Sequence, residues 1–132
     1  MGFVKTDNQT LYLNRGERLS CRKKIEQQSG NGNVEIIDAN YQDEDTFQKA
    51  VKNIDIIFHL ASQTSVYEAE KDPLADYEAN VLPMQLLLEA CRKRGNCPTI
   101  LFSGTSTQCG MPKKLPVDEN VLDDPITAYD FH

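Results

Sequence analysis

The sequence has no C-x-x-C pair, no apolar run near the roughly 20 residues of a membrane span, and no excess of positive charge. Its 14 Lys and Arg against 20 Asp and Glu leave a formal charge of −6, which excludes generic binding to nucleic acid, since a polyanion requires a basic footprint. The one basic cluster, Arg92-Lys93-Arg94, reads as the end of a helix. Cys21, Cys91, Cys97 and Cys109 are neither paired nor set among histidines, and read as reduced thiols of a cytoplasmic protein rather than disulfides or zinc ligands. No signal peptide is legible, so neither a membrane nor a secretory destination is expected. What remains is a chain of 132 residues, the size of one domain (1–132), able to bury roughly two-thirds of its unfolded surface.

Apolar runs and helical patterns alternate along it. Gln9 to Leu13, Asn33 to Ile37, Ile54 to Ala61 and Thr99 to Ser103 predict strands. The last two are nearly continuous Ile, Leu and Phe, as expected of parallel strands covered on both faces. Arg18 to Gln28 predicts a polar surface helix. Asp43 to Lys52 predicts a second helix with Asp43 as N-cap, and Pro73 to Arg94 a long one closed by Gly95. The apolar second half of the long helix should be largely buried, and Pro83 should bend or restart it with Asn80 at the break. Strands alternating with helices mean βαβ units, hence an α/β fold with a doubly wound parallel sheet.

In such sheets ligands bind beyond the carboxyl ends of the strands. Small residues follow the third strand (Leu60-Ala61-Ser62), and Ser103-Gly104-Thr105-Ser106-Thr107 follow the fourth. Two dozen residues later stands Tyr129. A hydroxyl-bearing strand end and a phenol suit proton transfer at a sugar hydroxyl, although the same hydroxyls form ordinary turns and a tyrosine packs well without chemistry. His59, inside an apolar strand, reads as a hydrogen-bonded core histidine.

Several segments together resemble the extended short-chain dehydrogenases/reductases of the NAD-dependent epimerase/dehydratase type. Asp55 to Ser62 resembles the family's D-x-x-F-H-L-A-A strand, and Asp72-Pro73, Asn80-Val81 and Leu87-Leu88-Glu89-Ala90 resemble its long helix. Phe102 to Gly110 is similar to the catalytic strand end, with Cys109 where tyrosine is usual. Pro116 to Glu119 and Pro125 to Tyr129 resemble the approach to the catalytic tyrosine. The resemblance implies a partial Rossmann-like, NAD(P)-binding domain in which Thr105 and Tyr129 are catalytic. It implies cofactor contacts at Leu60, Ala61, Ser62, Asn80 and Ser103, and at Asn40 and Tyr41 near adenine. Asn14 falls where the family places an acid on the adenosine ribose, so Asn14 with Arg15 either admits the 2′-phosphate of NADP or forms a plain turn; the cofactor is NAD or NADP. The implied substrate of the whole protein is a nucleotide sugar or another small carbonyl or hydroxyl compound, and a homodimer stays open. Ser106-Thr107 replaces the Asp-Glu pair of the dehydratase branch, which favours an epimerase or a reductase.

Two parts of the family pattern do not occur in these residues. No G-x-x-G-x-x-G is present, and the lysine four positions after the tyrosine would fall one beyond His132. The expectation is therefore a domain incomplete at both ends, lacking the first strand, with residues 1–6 read as the tail of a helix. A catalytically inactive fragment or binding module of the same fold is the alternative. Two central strands without the strand between them would pair directly or leave open edges.

Overall fold

The computed structural model describes residues 2–4, 10–14, 27, 34–38 and 43–132. Five strands form one sheet: β1 (Gly2–Val4), β2 (Thr10–Asn14), β3 (Val34–Asp38), β4 (Ile56–His59) and β5 (Thr99–Phe102). Their order is β3-β2-β1-β4-β5, with β2 parallel to β3 and β4 parallel to β5. The α/β class and four strands follow the expectation to within a residue or two.

The centre of the sheet does not. Gly2–Val4, expected to be helical, is a strand wedged between β2 and β4 and antiparallel to both, pairing Phe3 with Leu11 on one side and with Ile57 on the other. The expected parallel first strand is thus replaced by a short reversed one, and β2 and β4 neither pair directly nor stay open here. Backbone amides and carbonyls in mid-sheet require partners, and Gly2–Val4, with the strand formers Phe3 and Val4, supply them.

Helix α1 (Glu44–Ala50) starts where predicted, because the Asp43 carboxylate accepts the Thr46 N–H at 3.2 Å and the Thr46 hydroxyl at 2.8 Å. Helix α2 (Val66–Lys71) was not foreseen, yet Ser65-x-x-Glu68 carries its capping signal: the Ser65 hydroxyl accepts the Glu68 N–H at 3.3 Å. Helix α3 (Pro73–Arg94) begins with Asp72 accepting from Ala75 N–H at 3.0 Å and ends at Gly95, left-handed at φ 64°. Pro83 does not restart it. The helix runs on unbroken with Asn80 inside it, and the pyrrolidine ring is fully buried, which offsets the lost backbone donor.

The core lies where α1 and α3 cover one face of β4 and β5. Phe47, Ala50, Val51, Ile54, Ile57, Leu87, Ala90 and Cys91 form it, with Ile37 and Ile100 packed against it. Asn96 ties the two helices together by donating to the carbonyls of Val51 (2.8 Å) and Ile54 (3.1 Å). On the other face Phe58 and Leu101 are half-exposed, so the expectation of strands covered on both faces fails: β4 alternates and β5 buries little. Likewise Leu88 stands half-exposed on α3, whose apolar half is buried along a stripe and not all round.

After β5 the chain makes a short 3-10 helix (Ser106–Cys109), a loop, and helix α4 (Ala128–Phe131). The loop is pinched at its base, where Asp124 N–H donates to the Gln108 carbonyl at 2.9 Å. Gly110 makes this possible: at φ 57°, a Cβ there would sit 2.1 Å from the Asp124 carbonyl oxygen. Gly110→Ala is expected to cost about 1–3 kcal/mol and to open the pinch, visible as faster hydrogen exchange at the Asp124 amide; unchanged exchange would contradict this.

Of the predicted helix at Arg18 to Gln28, only Gln27 is described, and it is helical. The rest of that segment, and Arg15, Asn40 and Tyr41, lie outside the described residues. Asn14 ends β2, opposite Asp38 in the parallel register. Cys91, Cys97 and Cys109 are free thiols; burial pushes the Cys91 thiol up. Among the described residues no helix is long and apolar enough to cross a membrane, and no group of three or more His, Cys, Asp or Glu side chains could hold a metal ion.

Candidate functional site

A cleft of about 330 Å³ opens at the carboxyl ends of β4 and β5, within the usual range for small-molecule sites. The residues expected around the cofactor, Leu60, Ala61, Ser62, Asn80 and Ser103, all line it. So do Thr105 and Tyr129, which the chain brings together from positions 24 residues apart. Strand direction explains the placement: parallel β4 and β5 release their following loops on the same edge of the sheet, and α4 returns to that edge.

Asp76 holds the walls of the cleft together. It is 2 % exposed, and its carboxylate accepts from Gln63 Nε2 at 2.8 Å and Asn80 Nδ2 at 3.0 Å, while Oδ2 lies 2.9 Å from His132 Nδ1. Asn80 Oδ1 in turn accepts the Gln63 N–H at 2.8 Å, fixing the loop after β4. One buried carboxylate thereby joins that loop, α3 and the residue after α4. No motif singles out Asp76 or His132; the signal the sequence carries is that Asp76 precedes Asn80 by one helical turn and so shares its face.

Helix α4 is anchored twice. The Ala128 N–H donates to Glu70 Oε1 at 2.8 Å, and Thr127 and Asp130 make a capping box in which Asp130 Oδ2 accepts the Thr127 N–H at 2.9 Å. Asp130 also accepts the Thr107 hydroxyl, and the Thr107 and Thr105 hydroxyl oxygens are 2.8 Å apart. The Thr107 hydroxyl and the capping amides together hold the Asp130 carboxyl down to about 2.

His59 lines the same cleft at the end of β4, 2 % exposed and edge-on to Phe102 with ring centroids 5.7 Å apart. Burial lowers its pKa below the ordinary histidine value. As expected it is a buried histidine with a backbone hydrogen bond, but its Nε2 has no hydrogen-bond partner among the described residues.

A sequence model described as the NAD dependent epimerase/dehydratase family matches residues 5–132. The chain belongs to the NAD-dependent epimerase/dehydratase family. Among curated relatives it is 38 % identical over 90 residues to a UDP-glucose 4-epimerase of Lactobacillus helveticus, covering 65 % of this chain and 27 % of that protein. It is 31 % identical over 100 residues to a putative UDP-glucose 4-epimerase of Methanocaldococcus jannaschii, covering 75 % and 33 %. In three dimensions it is similar to the UDP-glucose 4-epimerase of Bifidobacterium longum in complex with NAD+ and UDP, with a TM-score of 0.81, 25 % identity and coverage of 92 % of this chain and 37 % of that one. The RMD protein of Pseudomonas aeruginosa complexed with NADPH shares the fold at a TM-score of 0.68 and 22 % identity, over 92 % of this chain and 43 % of that one. The chain thus spans between about a quarter and a third of the length of those two curated relatives.

Proposed function

We propose that this domain forms the dinucleotide-binding and proton-transfer part of a nucleotide-sugar epimerase or reductase, with NAD or NADP as cofactor. The observation that carries the reading is the single cleft in which Thr105 and Tyr129 meet Leu60, Ala61, Ser62, Asn80 and Ser103. The residues fit the group: small side chains let a flat ring approach the backbone, and the buried His59 Nε2 leaves a polar atom beside the cleft for a ligand to satisfy. When bound, the nicotinamide supplies a hydride acceptor and donor. Tyr129 exchanges the proton of the substrate hydroxyl, and Thr105 hydrogen-bonds the same oxygen. Asn80 sets the loop carrying Leu60 to Ser62 through its bond to the Gln63 amide. Ser106-Thr107 beside Thr105 supplies no carboxylate for eliminating water, which disfavours a dehydratase.

A second reading is a binding module of the same fold without turnover. Titration of NADH and NADPH against the chain, followed by their fluorescence, separates the possibilities. Saturable binding with a dissociation constant below about a millimolar is expected, together with loss of about tenfold in affinity for Asn80→Ala, the worth of one well-made hydrogen bond. Saturation without turnover of UDP-glucose would leave the binding module; no saturation by either dinucleotide would overturn both readings.

A further inference from the structure

Among the described residues, two buried side-chain nitrogens lack a hydrogen-bond partner, Gln48 Nε2 and His59 Nε2, and only His59 lines the cleft. Its place follows from strand register. His59 pairs with Phe102 across the parallel β4–β5 ladder, so both side chains leave the face that carries Ile57 and Ile100 two residues earlier. Ile57 lies in the core and Ile100 packs against it, which puts the imidazole where that core meets the cleft. The ring's protons decide what it can bind. A hydrogen bond to the His59 backbone engages one ring nitrogen as donor, and because Nε2 is unpartnered that nitrogen is Nδ1. Burial lowers the pKa, so the ring is neutral at neutral pH and its single proton stays on Nδ1. Nε2 is therefore a bare acceptor. Phe102 stands edge-on to the ring at 5.7 Å between centroids, yet it is 59 % exposed and itself lines the cleft. A side chain so little buried moves aside at small loss of packing.

We propose that His59 Nε2 is a binding position of the cleft, uncovered when Phe102 swings aside, which accepts an N–H or O–H group of the bound dinucleotide. The inference rests on the proposed dinucleotide binding and names one contact which that binding uses. A phosphate or carbonyl oxygen is excluded at this atom, since lone pair would face lone pair. Two groups of a dinucleotide fit the chemistry, the nicotinamide amide and a ribose hydroxyl. The contact takes no proton from Thr105 or Tyr129. An acceptor left bare in the interior lowers the stability of the free chain, and a ligand donor removes that deficit on binding.

Nitrogen-15 NMR of the full chain, labelled at its two histidines, is the first test. With His59→Phe assigning the signals, His59 Nε2 should read as an unprotonated, unbonded nitrogen at neutral pH and move upfield on saturation with NADH. An Nε2 already hydrogen-bonded in the free chain, or unmoved at saturation, would overturn the inference while saturation itself leaves the proposed function standing. No saturation by NADH or NADPH takes the proposed function down as well. The second test compares variants. His59→Phe should weaken NADH binding by about five- to tenfold at an equal or higher thermal midpoint, because an unmet acceptor has been replaced by an apolar ring. His59→Gln, which keeps an acceptor at similar reach, should recover part of the affinity. Unchanged affinity in His59→Phe, or a loss accompanied by a lower midpoint, would mark His59 as structural only and sink the inference. The 3-acetylpyridine analogue of NAD+, in which a methyl replaces the amide nitrogen, separates the two donors. Weaker binding of the analogue to the native chain, with the difference gone in His59→Phe, assigns the amide; equal binding of both, with the His59→Phe loss retained, assigns a ribose hydroxyl.

Discussion

Phe47→Ala will lower the unfolding free energy by about 3–5 kcal/mol, a large share of the roughly 5–15 kcal/mol that holds a domain of this size together. Phe47 is completely buried and sits in the cluster where α1 meets α3 over Ile57. Its loss removes the largest apolar side chain of that cluster and leaves a cavity. The surroundings cannot close over it, because α1 is capped by Asp43 at one end and its exit is held at the other by Asn96, bonded to Val51 and Ile54. Urea unfolding should show a lower midpoint at an unchanged slope. A loss below about 1 kcal/mol would mean that the α1–α3 core is not the cooperative centre of the fold.

Asp76→Ala is expected to cost about 3 kcal/mol and to loosen the cleft. The carboxylate accepts from two side-chain amides and touches His132, and an alanine leaves those groups partly buried with fewer partners. The loss stays well short of the sum of three bonds, since Gln63 Nε2 also reaches the Ser65 carbonyl at 2.9 Å. Asp76→Asn keeps an oxygen for both amides and should recover most of the stability, while altering the contact to His132. The discriminating measurement is NMR of the Gln63 and Asn80 side-chain amides alongside urea unfolding. If Asp76→Ala leaves both amide resonances and the midpoint in place, the buried carboxylate does not organise the cleft.

The parts of the fold visible in the sequence are those where neighbouring residues decide. Asp43, Asp72-Pro73 and Gly95 announce helix ends because caps and dipoles act within one turn, and α1 and α3 begin and end as those residues imply. The strands at Ile56 and Thr99 follow from apolar runs of the right length. Helix α2 was legible too, in Ser65-x-x-Glu68, and so was α4, in Thr127-x-x-Asp130, although both capping signals are short enough to be overlooked. Pro83 does not interrupt α3, because its ring is fully buried, and that burial cannot be read from neighbouring residues.

The candidate site divides along the same line. The order of motifs singled out Leu60 to Ser62, Asn80, Ser103, Thr105 and Tyr129, and the fold places all of them on one cleft. Asp76 and His132, 56 residues apart, and Thr107 and Asp130, 23 apart, meet only because α4 folds back onto the sheet edge. Hydrogen bonds of that span leave no periodicity to read. The sequence by itself determined the α/β class, the family and the residues that crowd the strand ends, since these depend on local pattern and motif order. Tertiary structure alone decided that Gly2–Val4 fills the middle of the sheet in reverse, that Phe58 of β4 and Leu101 of β5 stay half-exposed, and which carboxylate binds which hydroxyl. Those outcomes depend on which unsatisfied backbone or side-chain group finds a partner in space, and residues distant in sequence supply the partner.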